Sequence, residues 1–146
     1  MSVSARANCV DSLMRFAFVM HYPQFGRRMT LLIVIAAAPL RRLIRKIVSG
    51  TAEQIWESEG SDRMLKEHRS IKPDFVLLDI DSIHENAISA ITKMRSMFPA
   101  SRIIAVTSYD ETDLQQSVHA AGADACLAKE NLLQLRRLLR WPARKK

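Results

Sequence analysis

At 146 residues, with 48% apolar and 25% charged side chains, the chain has the size and composition of one globular domain with a real core. No run approaches the roughly 18 uninterrupted apolar residues of a membrane span, and Cys9 and Cys126 have neither metal-ligand spacing nor the density of a disulfide scaffold, so a reducing cytoplasm is the expected setting. The net charge of +7 sits at the ends, with +3 in residues 1–28, +6 in 136–146 and −2 between them, which argues against a nucleic-acid partner that would want a basic stripe across the folded body.

Residues 1–28 show no clear period and are expected to be a poorly ordered N-terminal extension, with Met29 as the natural start of the protein. Leu31 to Ile35 is a short apolar run of the kind buried on both faces of a parallel sheet. Pro39 follows, suited to a first helical turn because its fixed φ fits there and its missing N–H costs nothing. Leu40, Leu43, Ile44, Ile47 and Val48 then recur at helical spacing, opposite a basic face of Arg41, Arg42, Arg45 and Lys46 read as solvated. Ser49-Gly50 ends that helix.

Thr51 to Glu57 alternates weakly and reads as an edge strand, and Ser61 to Ile71 as a polar helix with Met64 and Leu65 inward. After the breaker Lys72-Pro73-Asp74 comes FVLLD, Phe75 to Asp79, a buried strand that ends in a carboxylate. Asn86 can cap a helix carrying Ile88, Ile91, Met94 and Phe98. Arg102 to Val106 is a further strand ending in Thr107-Ser108, and Asp110 caps a helix over Glu111–Ala121. Asp124 to Ala128 is a short strand followed by Lys129, and Glu130 to Arg140 a last helix with Leu132, Leu135 and Leu139 inward. A domain over 29–140 and a basic C-terminal tail over 141–146 result.

Five strands alternating with five helices predict an α/β fold, a doubly wound five-stranded parallel sheet in a three-layer sandwich. All carboxyl ends of such a sheet share one edge, where ligands and chemistry sit. That edge gathers Asp79, Thr107 and Lys129, a carboxylate, a hydroxyl and an ammonium from three strand ends. A strand-terminal aspartate that only caps a loop is the plainer alternative for Asp79. There is no GxGxxG after the first strand, no GxxxxGK[ST] and no paired catalytic His or Cys, so nothing supports an enzyme or nucleotide-binding reading.

With LLIV…PLRRLI, KPDFVLLDI, FPASRIIAVTSYD and AGADACLAKENLL in place, the chain from Met29 to Arg140 resembles the receiver (response-regulatory) domain of two-component phosphorelay systems. The resemblance implies a flavodoxin-like sheet of order 2-1-3-4-5, and a stand-alone signalling module rather than an enzyme. It implies Asp79 as phosphoacceptor, with Thr107 and Lys129 binding the phosphoryl group. It also marks departures. The acidic pair that holds Mg²⁺ in receivers falls at Ala36 and Ala37, the rotating aromatic falls at Cys126, and the usual Met-Pro-Gly reads Ser82-Ile83-His84. No cofactor is expected, with Mg²⁺ weak or absent.

Asp81 is a possible rim contributor that a weakly bound Mg²⁺ would share with Asp79, but a surface role is the stronger reading, and His84 and Glu85 are discounted alike. Losing a metal clamp removes several kcal/mol from the transfer step, roughly two to four powers of ten in rate. A direct Asp79–Lys129 ion pair is predicted in its place. Expected partners are proteins, a sensor histidine kinase or a downstream effector, with a homodimer plausible through the face built by 111–121, 124–128 and 130–140. The alternatives are a phosphorylation-competent single-domain regulator using Asp79 and a basic-tailed adaptor for an anionic partner.

Overall fold

The short apolar runs form the centre of the molecule. In the computed structural model, which describes residues 29–67, 70–82 and 86–141, β1 (Thr30–Val34), β3 (Phe75–Asp79) and β4 (Arg102–Thr107) lie side by side and are almost wholly buried. β2 (Gln54–Ser58) and β5 (Ala125–Ala128) flank them, giving one parallel sheet of order β2-β1-β3-β4-β5. Strand alternation sends successive side chains to opposite faces. Leu31, Ile33, Phe75, Leu77, Ile104 and Val106 therefore pack on one side, and Leu32, Val34, Val76, Leu78, Ile103 and Ala105 on the other.

Helices cover both faces. α1 (Ala38–Val48) buries Ile44, Ile47 and Val48 on the first face, where Leu132, Leu135 and Leu139 join it. α2 (Ser61–Glu67), α3 (Ala87–Met97) and α4 (Thr112–Ala121) cover the second face through Met64, Ile91, Met94 and Val118. The result is the doubly wound three-layer sandwich that strict alternation predicts.

Local chemistry sets the element ends. Pro39 sits in the first turn of α1, and Gly50 takes φ 81° just beyond it. The Asn86 side chain accepts a hydrogen bond from Ile88 N–H at 3.0 Å and caps α3. At the amino edge, Arg95 donates to Gly122 O, Ser101 O and the Asp124 carboxylate, tying α3 to the α4–β5 turn.

Several expectations are corrected. Leu43 faces outward, 48% exposed, because the α1 stripe centres on Ile44 and Ile47. Arg41 is not on a solvated face; its side chain is 14% exposed and turns back toward the sheet edge. The last segment is not one continuous helix over 130–140. A 3₁₀ turn, Lys129–Gln134, leads into a short α5, Leu135–Leu138, because Asn131 leaves helical geometry (φ −112°, ψ 28°). Trp141, counted with the tail, packs partly buried against the core and under the Arg102 guanidinium at 5.7 Å. The extension 1–28, the residues 142–146, and His84 and Glu85 lie outside the described residues.

Candidate functional site

Strand register brings the polar residues together. Asp79 pairs with Val106, so it stands one step before Thr107 at the ends of the adjacent β3 and β4. Thr107 pairs with Ala128 of β5, and Lys129 is the next residue along the chain. On the other side, Val34 pairs with Leu78, so the β1 end, Ile35 and Ala36, lies beside Asp79.

The Asp79 side chain is 2% exposed, and Lys129 Nζ lies 3.1 Å from its Oδ1, the direct ion pair expected from sequence. The same Oδ1 accepts the Asp81 backbone N–H at 3.1 Å, which closes the loop after β3 into a tight turn. Among the described residues, Oδ2 of Asp79 accepts no hydrogen bond.

Asp81 is placed differently from the surface role favoured by its loop position. Its side chain is 17% exposed and turns into the site. Oδ1 accepts the Thr107 hydroxyl at 2.7 Å, and Oδ2 accepts the Ser108 N–H at 2.7 Å and faces Lys129 Nζ at 3.0 Å. The Thr107 hydroxyl in turn accepts the Tyr109 N–H at 3.1 Å, so both its donor and an acceptor direction are committed.

Electrostatics follow this geometry. Burial pushes the Asp81 carboxyl up, but the Thr107 hydroxyl, the Ser108 amide and the Lys129 ammonium outweigh it and hold the group below the usual carboxylate range. Burial alone would lower Lys129, yet bonds to Asp81 and Asp79 and the two nearby negative charges raise it above the ordinary lysine value. Cys126, at the position of the missing aromatic, is half-buried, and its thiol is pushed up first by burial and then by the Asp81 and Asp110 charges.

Ala36 and Ala37 form the β1–α1 bend, Ala37 as the N-cap of α1, and bring no side-chain oxygen to the edge. Sequence reasoning missed what does stand there. Arg41 Nη1 donates to Ile35 O at 2.6 Å and to Ala36 O at 2.9 Å, with Glu57 and Glu59 around its other nitrogens at 3.8 and 4.0 Å. The signal was available, since helix side chains lean toward the N-terminus and an arginine in the first turn can reach back over the preceding loop. The Ser108 amide left no signal, being backbone. No three of the described His, Cys, Asp and Glu residues form a group that could hold a metal ion.

Comparison with known proteins gives a family and a fold. The family model described as "Response regulator receiver domain" matches residues 31–140. No curated protein matches the sequence. Among solved structures, a response regulator from Thermotoga maritima is similar with a TM-score of 0.68 at 18% identity, covering 77% of this chain and 97% of its own. Vibrio cholerae chemotaxis protein CheY4 is similar with a TM-score of 0.69 at 16% identity, covering 77% and 97%. A Burkholderia pseudomallei response regulator, solved with a phosphorylated aspartic acid and a calcium ion, gives a TM-score of 0.69 at 18% identity, covering 77% of this chain and 66% of that one.

Proposed function

Because the chain belongs to the response regulator receiver domain family of two-component signalling, we propose that it is an atypical receiver that acts by protein–protein binding, with Mg²⁺-dependent phosphorylation at Asp79 weakened or lost. The observation that carries this reading is the β1–α1 bend. Mg²⁺ is held in a near-octahedral shell of oxygens, usually with one or two carboxylates. Here the two loop side chains are methyl groups, and the Ile35 and Ala36 carbonyls already face the permanent positive charge of Arg41. That donor set does not fit the ion. Of the carboxylates nearby, Asp79 and Asp81 are both engaged with Lys129.

The chain's own residues then act as a binding module. Lys129 neutralises the buried Asp79 charge, and Thr107 and Ser108 tie the end of β4 to the loop after β3. These contacts position the start of α4 and the turn after β5. The surface of α4, β5 and α5 is the face proposed to take a histidine kinase, an effector or a second copy, and exposed Leu133 lies in the 3₁₀ turn that joins β5 to α5.

A phosphorylation-competent regulator is the second reading, and it is favoured because, among the described residues, both contacts of the Asp79 carboxylate fall on Oδ1 and none on Oδ2, the oxygen that would form an acyl phosphate. Incubating the protein with a small phosphodonor, with and without Mg²⁺, separates the two. The expected phosphoryl mass shift is absent, or slow and indifferent to Mg²⁺. Robust Mg²⁺-dependent labelling that Asp79→Asn abolishes would establish the conventional receiver instead.

A further inference from the structure

Three donors of different kinds converge on one carboxylate at the sheet edge. The Thr107 hydroxyl, the Ser108 backbone amide and the Lys129 ammonium come from β4, the residue after it and the end of β5, and all reach Asp81 within 3.0 Å. A hydroxyl, an amide and an ammonium aimed at one point are the chemistry of an oxyanion receptor. A loop aspartate with only a solubilising role would leave its oxygens to water. Asp81 gives both to the fold.

We propose that Asp81 is a built-in ligand of this receptor, whose carboxylate fills the place of a phosphate-class oxyanion and holds Thr107, Ser108 and Lys129 in the anion-bound arrangement with no phosphoryl group present. The inference rests on the reading of this edge as the functional one, and it adds that the anion is already supplied by the chain.

Two physical arguments support it. The first is tethering. Asp81 is two residues from Asp79, and its own N–H is fixed on Asp79 Oδ1. A ligand held on so short a tether acts at an effective concentration of millimolar or more, which a free anion must match to displace it. The second is charge. Asp79, Asp81 and Lys129 together carry a net of −1, so an incoming anion meets repulsion as well as occupied donors. Removing the Asp81 carboxylate brings that group to zero, frees the Thr107 hydroxyl and the Ser108 amide, and leaves Lys129 with Asp79 as its remaining carboxylate partner.

The test is a titration of the ¹⁵N-labelled full chain with inorganic phosphate at constant ionic strength, following the Ser108 amide. In the wild-type protein the amide should stay unmoved to concentrations on the order of 10 mM. In Asp81→Ala it should move saturably, with an apparent affinity at least about tenfold tighter than wild type, a gap of about 1.4 kcal/mol. Thr107→Val added to Asp81→Ala should weaken that response again.

Asp81→Asn keeps the shape and the acceptor for Thr107 while removing the charge, and it should bind phosphate more tightly than wild type even if the alanine variant fails to fold. Equal responses of wild type and a folded Asp81 variant, or no response in either, would overturn the proposal. Neither result touches Asp79 chemistry, so the receiver reading would stand or fall separately on the phosphodonor experiment.

Discussion

Lys129 lies between two carboxylates, and Lys129 and Asp81 act at opposite ends of the pH range. Asp81 is held below its ordinary value of about 4, so its bonds to Thr107, Ser108 and Lys129 add stability above that pH and lose it as the pH falls through the lowered folded value. Lys129 is raised, so its contribution is complete below about pH 10.4 and is lost as the pH rises through the folded value. Urea unfolding across pH should therefore show an acid limb that Asp81→Asn diminishes, with a loss of about 1–2 kcal/mol at neutral pH. Superimposable profiles for the two proteins would show that the Asp81 bonds contribute nothing. Asp79, Thr107 and Lys129 were legible in the sequence because each stands at the end of an apolar run. Asp81 was legible only as a possible rim contributor, with a surface role preferred, because a loop has no period and one of its partners is a backbone amide. Arg41 was misread because spacing alone puts it on the polar side of α1.

Elements were most legible where apolar runs are short and bounded by breakers. β3 lies over Phe75–Asp79, as the Lys72-Pro73-Asp74 breaker and the terminal acid indicate. Capping chemistry set the start of α3 at Asn86 equally well. The segment after β5 was harder, because leucines at 132 and 135 repeat every three residues in a 3₁₀ turn as readily as in an α-helix. Lys129 is anchored in the site, and the chain turns at Asn131 before α5 can begin. At the other end of β5, Gly122 carries φ 121°, and a Cβ there would come within 3.1 Å of the Arg95 side chain. Gly122→Ala should cost about 1–3 kcal/mol by strain and by displacing Arg95 from Gly122 O and Asp124. A urea midpoint unchanged from wild type would show that the α4–β5 turn tolerates the added methyl.

For the whole molecule, strict alternation of strands and helices was enough to predict the sheet, its parallel sense and its layers, since few topologies satisfy those constraints. What alternation cannot convey is how the sheet edge is used. The receiver resemblance implies a metal held by acids after β1, and here methyl groups follow it, with Arg41 on the loop carbonyls and Asp81 on the donors. The proposed reading is that the cation cage is lost while the scaffold remains. Mg²⁺ titration of the full chain, followed by NMR beside the same titration of the Ala36→Asp, Ala37→Asp double variant, tests it most directly. No saturable shift is expected in the wild-type protein through about 10 mM, a range in which an oxygen cage with two added carboxylates responds. Saturable Mg²⁺ binding by the wild-type protein, centred on the amides around Asp79 and abolished in Asp79→Asn, would contradict it.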